Sequence, residues 1–477
     1  MKTLLSLAAT AALALTTTAS AQSAQERLDD RYNYALAAGY KAMMLCSAMA
    51  TSERLGGSRT EESVHEWELT GIYPVLDPII RDLPYEIVRY SVDGMANPPV
   101  YQVRVEWADD MPARAATQSV NGGCYVEPIG ASLAEPLPLS AESANANVAD
   151  DGWTTNSAVL SGSAKDRLGD AAFDMSYGEG SRTTAALVIR GDAIIMERYA
   201  QGFGADTPQR TWSVAKSIAS TLVGIGLLAD GIDVNEPIGL NYWRQGGAPD
   251  LRNQITIDHA LRMATGRYSD TPGNRTDPLY WGGSTVDETA MRWPVVHAPG
   301  TVFRYANNDT LLAVRTVDRF LGYYGAEDLL SRFGMDRTIA ETDWRGGYVL
   351  SSQVWSTARD LGRLGQLYLN DGVWDGERIL PEGWVEYISD PSGPQPEGTD
   401  WGYGAGWWTF RRPEGNAFEG IPDDAFAARG NRGQYVVVVP SRDVVIVRRG
   451  EDMVGTRFDI AAFTRDVLAA LEEGGSD

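Results

Sequence analysis

The chain has 477 residues, 43% hydrophobic and 22% charged, the composition of a globular protein long enough for two or three domains. Its 64 acidic against 41 basic residues leave a formal net charge of −23. Such a balance speaks against a nucleic-acid partner or an anionic membrane surface, and it bears on solubility more than on substrate.

Residues 1–21 read as a secretory signal. Lys2 supplies the positive start, Leu4 to Leu15 form a short apolar run, and Ala19-Ser20-Ala21 offers a cleavage site after Ala21. The run is too short for a membrane span, and no cysteine follows the cleavage site to carry a lipid. The expected location is periplasmic or secreted, with no membrane span.

A helix is expected over 24–53, where Leu28, Tyr32, Leu36, Ala37, Tyr40, Met43 and Met44 recur at helical spacing. Residues 85–92 and 100–106 alternate as strands, with Asp93-Gly94 as the turn. These elements predict a small α+β N-terminal domain over 22–130. The Pro/Ala/Ser/Asn-rich stretch 131–150 predicts a linker. The only two cysteines are Cys46 and Cys124, and an even pair in an oxidising compartment favours a disulfide.

The second domain is expected over 151–477. Ala186 to Ile189 and Ala193 to Met196 flank Arg190-Gly191-Asp192, which reads as a hairpin turn and not as an adhesion signal. Next comes Thr211-Trp212-Ser213-Val214-Ala215-Lys216-Ser217, at the head of an apolar helical run. Lysine is scarce, with only Lys2, Lys41, Lys165 and Lys216 in the chain. One turn of helix brings residues i and i+3 to the same face, so Lys216 can draw the proton from the Ser213 hydroxyl. Thr211 and Ser213 are both plausible N-caps, and backbone N–H groups at a helix start favour developing negative charge.

The middle, about 230–400, is rich in helical patterns and Pro/Gly loops. Strand patterns return at Gly406 to Phe410, Ala425 to Arg429, Tyr435 to Val439 and Val444 to Val447, with a turn at Pro440 to Asp443 between the last two. An amphipathic helix, Phe458 to Leu471, closes the chain. Early strands, a helical middle and late strands predict one antiparallel sheet with an inserted helical region. Gly224-Ile225-Gly226-Leu227-Leu228-Ala229 imitates a dinucleotide fingerprint but lies within a helix, so packing is the expected reason for its glycines. The histidines are His65, His259 and His297 alone, which makes a Ser-His-Asp triad improbable, and His259 reads as structural.

Two further segments complete a constellation: Phe303-Arg304-Tyr305-Ala306-Asn307, and Phe426-Ala427-Ala428-Arg429-Gly430-Asn431-Arg432-Gly433-Gln434. S-x-x-K, then Y-x-N, then a glycine-rich strand segment resemble the serine β-lactamase and penicillin-recognising superfamily, class C-like branch. Met263 to Gly266, Pro299 to Phe303 and Ser356 to Tyr368 fit the same family. The third motif is closest to 6-aminohexanoate-dimer hydrolases and related esterases, since Ala428 stands where penicillin-binding enzymes carry lysine or histidine.

The resemblance implies a β-lactamase-like α/β fold, its antiparallel sheet flanked by helices, and an acyl-enzyme mechanism without a cofactor or metal. Ser213 would be the nucleophile, Lys216 its proton partner and Tyr305 the general base and acid. Which of Lys216 and Tyr305 deprotonates the serine stays open. The backbone N–H groups of Ser213 and Asn431 would form the oxyanion hole. Asn307 would bind Lys216 or the substrate, Gly430 and Gly433 would permit close approach, and Arg429 would partly replace the missing cation. Tyr268, Asp270, Asp277, Tyr280 and Trp281 lie where the family builds its substrate rim. The expected substrate is a small amide or ester. The alternatives are a β-lactamase or D-Ala-D-Ala carboxypeptidase, and a non-catalytic ligand-binding homologue.

Overall fold

The computed structural model describes residues 2–91, 95–119, 122–131, 151–156, 159–244, 249–269 and 277–474, with side chains from residue 24 onward except Trp281 and Gly474. Helix α1 (Lys2–Arg54) contains the segment expected over 24–53 and continues it to residue 2. From Ala35 to Ala50 it is buried on every side, its faces mostly Ala, Leu, Met and Tyr, with Lys41 and Ser47 as buried polar exceptions. A helix apolar all round needs cover all round. One side is covered by a four-stranded antiparallel sheet in the order β1 (Tyr85–Arg89), β2 (Val100–Val105), β3 (Arg114–Gln118), β4 (Cys124–Val126). The sequence pattern marks β1 and β2 but not the two shorter strands. The Cys46–Cys124 disulfide, with its Cα atoms 6.1 Å apart, ties α1 to β4. The Asp93-Gly94 turn and, beyond Ala131, the linker stretch lie outside the described residues.

The other cover of α1 comes from the C-terminal region. Tyr40 stacks on Tyr280 with ring centroids 4.3 Å apart, and Trp212, Tyr280 and Trp355 belong to the same apolar cluster as α1.

An eight-stranded sheet organises the rest of the chain. It is built from β5 (Thr154–Thr155), β6 (Thr183–Arg190), β7 (Ala193–Tyr199), β8 (Gly402–Tyr403), β9 (Trp408–Thr409), β10 (Phe426–Gly430), β11 (Gln434–Val439) and β12 (Val444–Gly450). Their spatial order is β8-β9-β10-β11-β12-β6-β7-β5, so the late strands join the early hairpin through the β12–β6 pair. All pairs are antiparallel except β5, which runs parallel to β7 at the far edge.

Strand alternation sorts the side chains onto two faces. Leu187, Ile189, Val436, Val438, Val445 and Val447 face a core shared with the middle helices, α2 (Ala215–Asp230), α3 (Asn307–Arg315) and α4 (Ala358–Leu369). Ala186, Val188, Val437, Ile446 and their neighbours face the closing helix, α5 (Ile460–Gly474).

Among the described residues, one helical stretch, Trp212–Asp230, is long and apolar enough to cross a membrane, and 83% of its apolar window is buried inside the protein. A Cβ on Gly224 would meet the Trp384 ring at 2.8 Å, and one on Gly226 would strike Val317. The glycines of the false dinucleotide motif are thus packing residues. His259 likewise serves structure, its Nδ1 accepting from the Thr256 N–H at the start of a short helix.

Candidate active site

Ser213 lies in a 3₁₀ turn, Trp212–Val214, that runs directly into α2. Of the two expected caps, Thr211 takes the N-cap of the 3₁₀ turn, while Ser213 lies within the turn and does not cap α2. Val214 occupies the cap position, and neither cap residue of the turn or of α2 makes a side-chain capping bond. The serine is instead presented by strain in the preceding residue. Trp212 has φ +50°, a left-handed conformation that costs a non-glycine residue about 1–3 kcal/mol and persists only where the surroundings hold it. Two more such residues border the site, Met263 and Arg432, each at φ +59°.

Lys216 is 1% exposed. Its Nζ lies 2.5 Å from Asn307 Oδ1, 2.8 Å from the Ser351 carbonyl and 3.4 Å from Ser213 Oγ. No carboxylate offsets its burial, and desolvation lowers its pKa to about 7. A neutral amine has two N–H groups and one lone pair. The two short contacts are to acceptors and take both N–H groups, so the lone pair is left for the Ser213 hydroxyl.

Tyr305 precedes α3 and places its ring 5.0 Å from Lys216 Nζ. Burial pushes its phenol up to about 12, while hydrogen bonds with Ser213 and Trp408 and the Arg429 charge pull the other way. Near neutral pH the amine can be free while the phenol keeps its proton. Buried Asp309 anchors the loop from below. It accepts from the Thr265 hydroxyl at 2.6 Å, the Thr265 N–H at 3.3 Å and Arg267 at 3.2 Å. The Arg304 N–H donates to the carbonyl of left-handed Met263 at 2.8 Å.

The third segment forms β10. Ala428 points into the apolar core with no exposure, so its position brings no charge to the site. Gly430 packs against the nucleophile turn. A Cβ there would lie 2.5 Å from the Thr211 carbonyl and 3.1 Å from the Ser213 nitrogen, so only glycine permits this approach. Asn431 follows at the surface. Arg429, on the opposite face of the strand from Ala428, stacks its guanidinium 4.1 Å from the Trp401 ring and 4.7 Å from Trp408. Burial lowers its pKa to about 10, and its Nε has no hydrogen-bond partner.

The expected rim divides. Tyr268 is exposed, 5.5 Å from the Trp293 ring and beneath the Arg304 guanidinium. Asp277 and Tyr280 are buried against the N-terminal region instead, where Asp277 meets the Tyr32 hydroxyl at 3.2 Å and Tyr280 stacks on Tyr40. They cannot line a substrate path from there. Asp270 and the Trp281 side chain lie outside the described residues. The structure thus joins Ser213, Lys216, Tyr305 and Asn307, and brings Gly430 against the serine.

Sequence reasoning passed over Trp408, Asp309 and the Ser351 carbonyl. Trp408 was visible only as a strand residue, Asp309 lay just beyond the Tyr305–Asn307 motif, and a main-chain acceptor leaves no mark in residue type. Among the described residues no group of three His, Cys, Asp or Glu side chains converges as a metal site would require.

A protein-family model described as Beta-lactamase matches residues 170–471. The chain belongs to the Beta-lactamase family. A curated relative of this β-lactamase-family chain, the 6-aminohexanoate-dimer hydrolase of Paenarthrobacter ureafaciens, is 29% identical over 296 residues, covering 56% of this chain and 72% of the relative. A solved Bacillus anthracis structure titled "Putative 6-aminohexanoate-dimer hydrolase" superposes with a TM-score of 0.50 at 21% identity, over 61% of this chain and 79% of that one. A Bacteroides dorei structure titled "putative beta-lactamase" gives a TM-score of 0.51 at 18% identity, over 66% of this chain and 99% of that one. At these identities the two structures speak to the fold, and they agree with the sheet and flanking helices described above.

Proposed function

We propose that this β-lactamase-family hydrolase is an exported serine hydrolase that cleaves amide or ester bonds through an acyl-enzyme on Ser213, in the manner of 6-aminohexanoate-dimer hydrolases and related esterases. The observation that carries the reading is the setting of Lys216, buried, its pKa lowered by desolvation to about 7, and 3.4 Å from Ser213 Oγ, where its deprotonated form can accept the serine proton. Lys216 takes the serine proton as Oγ attacks the carbonyl carbon. The N–H groups of Ser213 and Asn431 receive the oxyanion. As the tetrahedral intermediate collapses, Tyr305 gives its proton to the departing nitrogen or oxygen and regains one from Lys216. Water then repeats the sequence in reverse roles and releases the acid.

The buried Ala428 supports uncharged substrates, because a β-lactam carboxylate held without a paired cation is costly. Arg429 is the one nearby cation that favours the β-lactam alternative, since its Nε is unpartnered. The test is kcat/KM for a short acyl ester, a linear amide and a chromogenic cephalosporin, in wild type, Ser213→Ala and Arg429→Ala. The expected result is ester and amide turnover that Ser213→Ala abolishes. Wild-type activity in Ser213→Ala would overturn the nucleophile. A cephalosporin preference that vanishes in Arg429→Ala would establish the β-lactam reading instead.

A further inference from the structure

The two backbone donors assigned to the oxyanion hole each have a left-handed, non-glycine neighbour. Trp212 precedes Ser213, and Arg432 follows Asn431. Each of these neighbours is held by the N-terminal region, and the contacts are specific.

The Arg432 side chain is 5% exposed and points away from the site. Its Nη2 donates to the Trp67 carbonyl at 2.8 Å and the Thr70 carbonyl at 2.7 Å, and its Nη1 donates to the Glu68 carbonyl at 3.3 Å. Those carbonyls belong to the C-cap residue of the short helix Glu61–Glu66 and to the loop just after it. Within the hydrolase region Nη2 also donates to the Glu451 carbonyl at 3.1 Å, and Nε forms an ion pair with the Glu451 carboxylate at 2.7 Å. Glu68 itself is paired with Arg59 at 2.8 Å, both side chains being buried.

Trp212 is 5% exposed and sits in the apolar cluster of α1. The Arg210 guanidinium covers its ring at 3.8 Å. Arg210 in turn contacts Met44 Sδ at 3.9 Å and bonds to the hydroxyl of Tyr280, the residue stacked on Tyr40. Tyr40 and Met44 are α1 residues. The left-handed residues beside the two donors are therefore held in part by elements outside the hydrolase fold, Arg432 most directly and Trp212 through Arg210 and the α1 cluster. Gly430 packs against the Ser213 nitrogen, so the two strands of backbone carrying the N–H groups lie in direct contact.

We infer that the N-terminal region is a working part of the active site, holding the oxyanion hole from behind through Arg432 and Trp212. The inference rests on the acyl-enzyme reading given above. Arg432, Tyr40 and Met44 are positioning residues and touch no substrate.

The test uses the full chain. Arg432→Gly tolerates φ +59° while removing the anchor. Its kcat on the best ester is expected to fall about 100-fold, the scale of losing one oxyanion donor, with KM within about threefold. Affinity for a boronic acid that places an oxygen in the hole should fall in step with kcat/KM, as a transition-state mimic must. Added guanidinium should restore part of the rate. Tyr40→Leu, changed only in the first helix, should lower kcat about tenfold with the same boronate signature. It carries the test if Arg432→Gly does not fold. Folded variants with wild-type kcat and boronate affinity would overturn the inference, and so would a loss confined to KM. Failure of the acyl-enzyme reading is separate, because it would show as an active Ser213→Ala whatever Arg432 does.

Discussion

The proton-transfer half and the oxyanion half of this site are built differently. The contacts around Lys216, Tyr305 and Asn307 described above come from the hydrolase region, through the Ser351 carbonyl, Asp309, Thr265 and Arg267. The oxyanion half leans on α1 and on the loop after Glu66, which belong to the N-terminal region. A proton relay works by burial and short contacts, which one core supplies. A backbone donor pair works by spacing, and on the inference above that spacing depends on the N-terminal region as well. The two halves should therefore fail separately, and by different signatures.

The largest effect is expected on the relay. Lys216→Ala and Tyr305→Phe should each lower kcat by roughly 10³–10⁴-fold, because nucleophile and proton carriers act as a unit. The pH profile gives the sign. The Lys216 pKa is lowered to about 7 and its free amine is the working form, so kcat/KM should rise with pH through about 7. It should fall only near 12, where Tyr305 loses its proton. Lys216→Arg should be inactive across the whole range, since a guanidinium does not deprotonate. A profile flat from pH 5 to 9 would remove Lys216 as the base.

A second measurement loosens the other half. Replacing both Cys46 and Cys124 by serine opens a loop of sequence separation 78. The chain-entropy model puts the loss of stability on the order of 4 kcal/mol. If the halves are independent, kcat should fall while the inflection near pH 7 stays in place. A shift of that inflection would show that the relay also depends on the N-terminal region.

The smallest effect concerns Glu341, which joins the two regions by accepting from the Cys124 N–H at 2.8 Å. Burial raises its pKa from 4.5 to about 7, against hydrogen bonds with Cys124, Ser47 and Trp355 and the Arg210 charge. A raised carboxyl stabilises the fold fully below pH 4.5 and loses that contribution as pH rises through about 7. Linkage allows at most about 3 kcal/mol for such a shift. Glu341→Gln should flatten the dependence of thermal stability on pH between 5 and 8. An unchanged slope would assign the dependence to other buried acids.

Most of the hydrolase sheet was legible because its strands announce their burial. Apolar–polar alternation is absent from β11 and β12, and near-continuous valine marks strands covered on both faces, as Val436 to Val439 and Val444 to Val447 are. The spacing of Ser213 and Lys216 placed both on one short stretch of chain, and the structure keeps them together. The docking of the two regions was not legible. The family resemblance implied a substrate rim for Tyr280 and Asp277, but nothing in the sequence says which surface meets them. Arg432 was read only as part of a motif because its partners are main-chain carbonyls. β3 and β4 escaped notice because Ala115, Ala116 and Cys124 are small and imitate a loop.

The burial of Lys216 and Lys41 has a practical side. Lys41 is enclosed, donating to the Arg81 and Leu83 carbonyls at 2.7 Å each, and Lys216 is spent inside the site. Of the lysines whose side chains are described, only half-buried Lys165, in the helix Gly162–Phe173, reaches solvent. The folded surface is nearly free of primary amines. Amine-directed coupling to a resin or dye should attach the protein through that helix or the chain terminus, and a lysine-specific protease should find almost nothing to cut until the molecule unfolds.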